Sequence, residues 1–307
     1  MEEITELLNI IGEEVLDVEE ETFLLFAQDV ESNNLGMVDP RAPSIELTIN
    51  HNEYTIHQSP SLLSSHRAGG TTGAGMYDLH NSSARTPRKF LNPSSTVAEL
   101  GTGISALLAL TLSPKINHYI ATDQEYVQKL FRANLEANAP ASTTATNKKP
   151  KSQKSKSTPK QPPKSNISFT TLDWETDQAA SLREECLGPD PDEDKGFDLL
   201  ISCDCIYNEA LVAPFVRTCA EICRLRPGYE KEGGDARRPT VCIIAQQQRS
   251  PDVFEGWLRE TLREFRVWRI GDEVLGEGLR DTKNTGTTRT QDMQRGKHMY
   301  ELPPKQG

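Results

Sequence analysis

The sequence lacks a basic excess. Its 45 Asp and Glu residues outnumber its 34 Lys and Arg residues, which gives a formal net charge of −11 at neutral pH. Proteins that bind the phosphate backbone of nucleic acids carry the opposite excess, because lysine and arginine have to displace the counterions. Direct, specific nucleic-acid binding is therefore not expected.

Long apolar runs and an N-terminal targeting signal are also missing. The longest apolar run, around 104–112, is too short to span a bilayer. The first residues, MEEITELLNIIGEEV, are acidic, whereas secretory and mitochondrial signals are basic. We expect a protein without a membrane segment, located in the cytoplasm, with the nucleus as a second expected location.

The cysteines do not have the spacing of a metal site. None of the six forms a Cys-x-x-Cys pair, and a chain of 307 residues does not need a disulfide framework for stability. We therefore expect reduced thiols and no metal site. The six are Cys186, Cys203, Cys205, Cys219, Cys223 and Cys242.

Hydrophobic residues are scarce, at 36% of the chain, so part of its length should lie outside the core. The clearest such segment is rich in Ala, Ser, Thr, Pro and Lys and holds seven lysines between 148 and 164. Its composition predicts a disordered insertion at about 139–166. Contact with RNA or an acidic partner is a second interpretation of its lysines.

The rest of the sequence contains hydrophobic patterns that predict helices and strands. The first thirty residues predict an acidic amphipathic helix, with apolar positions at Ile4, Leu8, Ile11, Val15 and Val18. Residues 44–57 alternate around His51-Asn52-Glu53, which predicts a short β-hairpin. The segment 69–93 reads as a glycine-rich and polar loop.

From residue 97 onward, short apolar runs alternate with helical stretches, which predicts an α/β, Rossmann-like, doubly wound and mostly parallel sheet. A final antiparallel hairpin, 265–270 with 298–302, should close it. The predicted strands are 97–100, 118–122, 167–171, 197–203 and 240–246, and the predicted helices are 104–113, 125–137, 177–187, 209–225 and 251–264.

A glycine loop follows the first of these strands, in the run V-A-E-L-G-T-G-I-S-A. Without a Cβ atom, Gly101 and Gly103 permit a tight turn and a close approach of backbone N–H groups to a ligand at the positive end of the next helix. The loop Glu99-Leu100-Gly101-Thr102-Gly103 thus predicts a site for a nucleotide-like cofactor. Because Gly101, Gly103 and Ala106 also fit the G-x-G-x-x-G/A pattern, NAD stays open at this point.

Acidic and aromatic residues end the following strands. Asp123 lies about twenty residues after the glycines, where a carboxylate can accept both ribose hydroxyls of an adenosine. Asp173-Trp174 offers an acid for the adenine amino group and an indole for its ring. Asp204 and Tyr207 then place an acid and a phenol three residues apart beside the cofactor, which suits an incoming amine.

Together these motifs resemble the seven-strand, class I S-adenosylmethionine-dependent protein-lysine methyltransferases. Within that group, the chain resembles the fungal ribosomal lysine N-methyltransferase 5 family over most of residues 44–270. Three stretches carry this likeness: ATDQEYVQKLFRANLEAN, SCDCIYNEALVAPFV and AQQQRSPDVFEGWLRETLREFRVWRI.

The resemblance implies a seven-strand methyltransferase domain at 94–307, preceded by an N-terminal extension at 1–93. It implies S-adenosyl-L-methionine as cofactor, a lysine of a large-subunit ribosomal protein as substrate, and a monomer. Asp204 and Tyr207 fall on the Asp-x-x-Tyr substrate motif and are the expected catalytic residues. The expected cofactor-binding residues are Tyr77, Glu99, Gly101, Thr102, Gly103, Asp123, Asp173, Trp174 and Cys203.

The segment around Tyr77 departs from the family pattern. Such enzymes carry a Trp soon after a Thr-Gly pair, whereas here Thr72-Gly73 is followed by Tyr77 and the polar stretch NSSARTPRKF. A methyltransferase-like binding module without catalysis is therefore one alternative. An NAD-dependent oxidoreductase is another, although residues 197–270 contain no histidine to act as its base.

Overall fold

The structure is a computed structural model. It describes residues 2–27, 39, 41–49, 51–61, 91–139, 165–189, 196–226, 238–247, 249–270 and 297–302. Tyr77, nearly all of the predicted loop at 69–93 and residues 140–164 of the predicted insertion lie outside the described residues.

Ten strands occur in the described part of the chain. They are β1 Gly12–Val15, β2 Ser44–Ile49, β3 Asn52–His57, β4 Thr96–Leu100, β5 His118–Asp123, β6 Ile167–Thr171, β7 Leu199–Cys203, β8 Val241–Gln247, β9 Val267–Ile270 and β10 Lys297–Leu302.

Seven of the described elements are α-helices. They are α1 Glu2–Ile11, α2 Val18–Phe26, α3 Leu107–Leu112, α4 Gln128–Ala137, α5 Leu182–Leu187, α6 Glu209–Arg224 and α7 Pro251–Glu264. No helix among the described residues has the length and apolar character needed to cross a membrane.

Five parallel strands form the centre of the main sheet, in the order β6-β5-β4-β7-β8. The predicted parallel α/β sheet is thereby confirmed. Consecutive residues of these strands pack on opposite faces: Val97 and Ile201 belong to one core cluster, and Ala98 and Leu200 to the other. Both faces are covered, as the unbroken apolar runs of β4 and β7 require.

Three further strands extend the sheet beyond β8. β10 lies between β8 and β9 and runs antiparallel to each, and β1 pairs antiparallel with β9 at the outer edge. The described sheet therefore has eight strands rather than the predicted seven. The eighth, β1, comes from the N-terminal segment.

The predicted single N-terminal helix is wrong, because β1 divides it into α1 and α2. Gly12 begins β1, where a Cβ atom would lie 2.4 Å from the carbonyl oxygen of Arg269 on the partner strand. Asp17 then caps α2 by accepting a hydrogen bond from the backbone N–H of Glu20 at 2.8 Å. Pairing with β9 thus overrides the helical spacing of the apolar residues.

The predicted hairpin is present as β2 and β3, which form a separate two-stranded sheet. Its turn comes one residue earlier than predicted: His51 has a positive φ of 66°, and Asn52 already belongs to β3. Helix α4 holds the hairpin through two asparagines. Asn134 bonds both backbone groups of His57, and Asn138 bonds both backbone groups of Thr55.

Candidate functional site

The predicted site residues lie at the carboxyl ends of four neighbouring strands, β6, β5, β4 and β7. The first strand of the parallel series, β4, lies between β5 and β7, so chain connections leave it in opposite directions. In open α/β sheets, ligands bind in the crevice at such a reversal point. The fold therefore brings the glycine loop and the acids after β5, β6 and β7 to one edge.

The glycine loop has a strained backbone that only small residues tolerate well. Gly101 and Gly103 have φ values of 66° and 59°. A Cβ atom on Gly101 would lie 2.4 Å from Sγ of Cys205 and 3.4 Å from the ring of Trp174. The loop conformation therefore requires both glycines. The close approach of Cys205 and Trp174 is a second reason why position 101 requires glycine.

The helix after this loop starts later than predicted. Ala106 has a left-handed φ of 57°, so α3 begins at Leu107 instead of Ile104 and has only six residues. The predicted helix start at Ile104 is therefore wrong, whereas the ligand site at the glycine loop stays a prediction. Backbone N–H groups of the loop itself remain at this edge of the sheet.

Glu99 is completely buried at the end of β4, directly before the loop. Its Oε2 accepts hydrogen bonds from Thr102 Oγ1 at 2.6 Å and from Tyr119 OH at 2.7 Å. Its Oε1 is buried without a hydrogen-bond partner. Because burial penalises the charged form, the pKa of Glu99 is raised to about 7.

Asp123 joins the end of β5 to the glycine loop. Its Oδ2 accepts a hydrogen bond from the N–H of Gly103 and its Oδ1 one from the N–H of Gln124, both at 2.7 Å. Burial raises its pKa to about 6, although these two bonds oppose the shift. A carboxylate has about four acceptor positions, so these bonds leave capacity for ligand hydroxyls.

Gln124 links Asp123 to Asp173 at the end of β6. Its Nε2 donates to Oδ2 of Asp173 at 3.1 Å. The same carboxyl group accepts from the N–H of Glu175 at 2.9 Å, and these bonds lower the pKa of Asp173. The sequence did not predict Gln124 as a link between the two acids.

Trp174 lies between the glycine loop and α6. Its ring packs against Phe215 with centroids 5.0 Å apart, and Arg217 fixes its backbone by donating to its carbonyl oxygen at 2.6 Å. The indole Nε1 is buried without a hydrogen-bond partner. Trp174 thus packs partly against the core and partly lines the site. Its indole N–H is a buried donor, a kind of group that usually has a hydrogen-bond partner.

Asp204 follows β7 in the left-handed region, with φ 57°. Non-glycine residues adopt this conformation at a cost of about 1–3 kcal/mol, and they cluster at functional sites. The N–H of Asp204 donates to the carbonyl oxygen of Ala245 on β8 at 2.8 Å. Through this bond, the neighbouring strand β8 orients the loop that carries Asp204 and Tyr207.

Tyr207 is the exposed member of the site, with 44% of its surface accessible. Desolvation and nearby Cys205 and Asp123 raise its pKa to about 12, while Arg249 opposes the rise. The side chain is therefore a neutral phenol at physiological pH. Cys203, by contrast, is buried, and burial raises the pKa of its thiol.

Sequence reasoning missed two residues on the strand that pairs with β7: Gln246 near the end of β8, and Arg249 just after it. Buried Gln246 holds Ile206 by both backbone groups, its Oε1 accepting from the N–H and its Nε2 donating to the carbonyl oxygen, each at 3.0 Å. Arg249 places Nη2 3.6 Å from Oδ1 of Asp204. Both act through the pairing of β7 with β8, which the run AQQQR alone does not reveal.

The structure thus brings together eight of the nine residues expected in the cofactor site and both expected catalytic residues; Tyr77 lies outside the described residues. The set offers carboxylates after two strands, glycine backbone, an indole, and two buried polar atoms without partners, Oε1 of Glu99 and Nε1 of Trp174. Such a mixture of acceptors, a ring face and a spare donor fits an adenosine-containing cofactor.

The chain has an α/β fold with a central parallel sheet of five strands. No protein-family model matches the chain. An rRNA methylase from Streptococcus thermophilus is a solved structure with a TM-score of 0.37 and 11% identity, aligned over 71% of this chain and 91% of that one.

Two relatives are closer in sequence. Ribosomal lysine N-methyltransferase 5 of Zygosaccharomyces rouxii is 28% identical over 248 residues, 70% of this chain and 72% of that protein. The resemblance to this family is therefore confirmed. A Diaminohydroxyphosphoribosylamino-pyrimidine deaminase of Schizosaccharomyces pombe is 29% identical over 85% of this chain, which spans only 55% of that relative's length.

Proposed function

We propose that this chain is an S-adenosylmethionine-dependent protein-lysine N-methyltransferase. The observation that carries the proposal is the position of Asp204 and Tyr207: an acid in a left-handed backbone conformation and a half-exposed phenol at the end of β7. They stand next to the strand that leads into the glycine loop. This arrangement offers an amine site open to a protein chain beside a cofactor site.

The proposed cofactor site consists of the residues that surround the glycine loop. Asp123 would accept from ribose hydroxyls, Asp173 from the adenine amino group, and Trp174 would lie against the ring. When bound, S-adenosylmethionine supplies an electrophilic methyl group on a sulfonium sulfur. The full proposed set is Tyr77, Glu99, Gly101, Thr102, Gly103, Asp123, Asp173, Trp174 and Cys203.

The proposed catalytic work of the chain is orientation of the lysine amine. Only the neutral amine has a lone pair to attack, and an unperturbed lysine with a pKa near 10.4 is almost wholly protonated at neutral pH. The carboxylate of Asp204 and the phenol oxygen of Tyr207 would accept hydrogen bonds from the amine N–H groups. Tyr207 faces water, so the proton can leave to solvent before an in-line displacement.

The proposed substrate is a lysine of a large-subunit ribosomal protein. The name of the Zygosaccharomyces rouxii relative supports a ribosomal target. The net charge of −11 suits a basic protein partner, because opposite charges steer association. We further propose a monomer that is located in the cytoplasm, with the nucleus as a second location. In it, residues 94–307 form a seven-strand methyltransferase domain and residues 1–93 extend it.

A deaminase is the second candidate, because the Schizosaccharomyces pombe relative carries that name. Zinc-dependent base deaminases use an H-x-E element together with P-C-x-x-C. This sequence has His51-Asn52-Glu53 but no Cys-x-x-Cys pair anywhere. Among the described residues, no cluster of three His, Cys, Asp or Glu could hold a metal ion. The deaminase candidate is therefore the weaker one.

Calorimetry with S-adenosylmethionine, combined with transfer of a radiolabelled methyl group to ribosomal extract, tests the proposal. Wild type should bind the cofactor and label a protein lysine. Asp204→Asn should bind the cofactor within about twofold of wild type and transfer about 100-fold more slowly, because it loses the charged acceptor that aligns the amine. Glu209→Gln, an exposed acid five residues later, is the matched control and should behave as wild type.

Three other outcomes would contradict the proposal. Cofactor binding without any transfer would indicate a binding module. Binding of NAD instead of S-adenosylmethionine would indicate an oxidoreductase, a fold that usually extends its sheet with a sixth parallel strand where this chain has antiparallel β10. Full activity in Asp204→Asn would remove Asp204 from the mechanism.

A further inference from the structure

Arg249 follows β8 by two residues and approaches the proposed amine site from the strand next to β7. Its Nη2 lies 3.6 Å from Oδ1 of Asp204, and the two side chains are only 21% and 10% exposed. This is an ion pair shielded from water, so its electrostatic effect is less screened than that of a surface pair.

The distance between Nη2 of Arg249 and Oδ1 of Asp204 is longer than that of a hydrogen bond. Hydrogen bonds between N–H and O have lengths of about 2.7–3.2 Å, and 3.6 Å is longer. Arg249 therefore acts on Asp204 as a neighbouring charge and does not occupy Oδ1 as a tight hydrogen-bond donor. A carboxylate has about four acceptor positions, more than one ion pair at this distance uses.

The guanidinium of Arg249 is not fully hydrogen-bonded within the described residues. Its Nε is buried and makes no hydrogen bond. A buried donor of a charged group without a partner is destabilising, and such an atom in a folded protein calls for an explanation other than packing. A role in the site provides one.

The two charges are held at a fixed separation by β8. Ala245 accepts from the N–H of Asp204 at 2.8 Å, and Gln246 holds Ile206 by two bonds of 3.0 Å. Arg249 leaves the end of the same strand. Movement of the Asp204 loop relative to Arg249 would therefore break buried hydrogen bonds.

The surroundings of this pair are otherwise acidic or neutral. In the described part of the site, the titratable groups coupled to Asp204 or to Tyr207 are Asp123 and Tyr126, at the end of β5 and just after it, and Cys203 and Cys205, at the end of β7 and just after it. Carboxylates alone would stabilise a bound ammonium and keep it protonated. Arg249 supplies the positive charge that offsets them.

We propose that Arg249 is a positioning residue of the amine site: it offsets the charge of Asp204, so that an amine bound between Asp204 and Tyr207 releases its proton more readily. This inference rests on the proposed function. The step is a simple proton transfer, in which the bound ammonium gives one proton to water and becomes the neutral amine.

The direct test measures methyl transfer against pH at saturating cofactor and acceptor, because the pH dependence of kcat reports groups in the complex. Removing the positive charge with Arg249→Gln should move the rising limb of the profile to higher pH by about one unit, which is a tenfold slower rate on the low-pH side. The rates of the two proteins should converge at high pH, where the amine is neutral in both.

Two control variants separate charge from structure. Arg249→Lys keeps the positive charge and should keep the wild-type profile within about a third of a pH unit, whatever hydrogen bonds the guanidinium makes. Arg263→Gln removes an exposed arginine that pairs with Glu260 on α7 and should change nothing. An equal drop at every pH in Arg249→Gln, with no shift of the profile, would overturn the inference.

A binding measurement keeps this inference separate from the proposed function. Calorimetric titration with n-butylamine at neutral pH, in buffers of different ionisation enthalpy, counts the protons released as an amine binds. Wild type and Arg249→Lys should release the same number of protons per amine, and Arg249→Gln fewer. Methyl transfer that fails while this difference persists would reject only the enzyme; absence of amine binding by wild type, or equal proton release in all three, would reject the role of Arg249.

Discussion

A carboxyl group without access to water precedes the glycine loop. Glu99 is bound by Thr102 and Tyr119 at one oxygen, and its other oxygen is buried without a partner. Its pKa of about 7 means that near neutral pH it is half protonated in the folded protein. The unfolded chain, by contrast, ionises it near its ordinary value of 4.5.

This difference predicts a pH-dependent stability. Because the folded pKa is raised, the folded state binds more protons between about pH 4.5 and 7, so the contribution of Glu99 is present below this range and lost as pH rises through it. The unfolding free energy of Glu99→Gln minus that of wild type should therefore rise by about 2 kcal/mol when the pH is raised from 5 to 8.5. Denaturant unfolding without added cofactor measures it; a difference that stays flat with pH would contradict the buried, shifted carboxyl.

At the residue scale, sequence reasoning identified residues whose role follows from a strand end. Glu99, Asp123 and Asp173 follow recognisable apolar runs, so their shared edge of the sheet could be predicted. The predicted start of the helix after the glycine loop was wrong because Ala106 adopts a left-handed conformation, which a non-glycine residue such as alanine rarely adopts. Arg249 and Gln246 could not be found, because their partners are 40 or more residues away in the sequence and these contacts depend on the β7–β8 pairing.

At the scale of elements, the loop after β7 depends on β8 for its shape. Gln246 satisfies the N–H and the carbonyl oxygen of Ile206 together, and both groups are buried. Replacement by an apolar side chain leaves two buried backbone groups without partners, each costing about 1–3 kcal/mol. The same loop carries the proposed catalytic pair.

Gln246→Leu should therefore affect catalysis more than cofactor binding. We expect a loss of about 2 kcal/mol in unfolding free energy and a fall in methyl transfer of about tenfold or more, with S-adenosylmethionine binding within about threefold of wild type. Denaturant unfolding, calorimetry and the transfer assay measure the three quantities. Gln178→Leu, at an exposed position, is the control. Equal losses of cofactor binding and transfer would show that Gln246 supports the whole sheet edge rather than this loop.

The elements of the sheet were the most predictable part of the fold. The strand 167–171 and the helix 251–264 match their predicted limits. Their apolar residues recur with the period of the element, so the local sequence shows which face is buried. The N-terminal helix was wrong because β1 gains its hydrogen bonds from β9, about 250 residues further along the chain. Edge pairing of that kind leaves no local signal in a segment of four residues.

At the scale of the whole molecule, the N-terminal segment is tied into the sheet by charge as well as by hydrogen bonds. Arg266 donates to both carboxylate oxygens of Glu14 at 2.8 and 2.9 Å and lies over the ring of Trp268, 4.5 Å from its centroid. Trp268 in turn donates to Asn9 of α1 at 2.9 Å. The sheet that holds the proposed site thus extends without interruption from β6 to the N-terminal strand.

The central claim is that this sheet presents a lysine to a methyl donor at Asp204 and Tyr207. The most direct measurement is mass spectrometry of ribosomal proteins from cells that carry the wild-type chain, Asp204→Asn, or no copy. The account predicts one large-subunit protein whose lysine gains the mass of one or more methyl groups with the wild-type chain alone. Identical lysine masses in all three, with the wild-type protein folded and abundant, would contradict it.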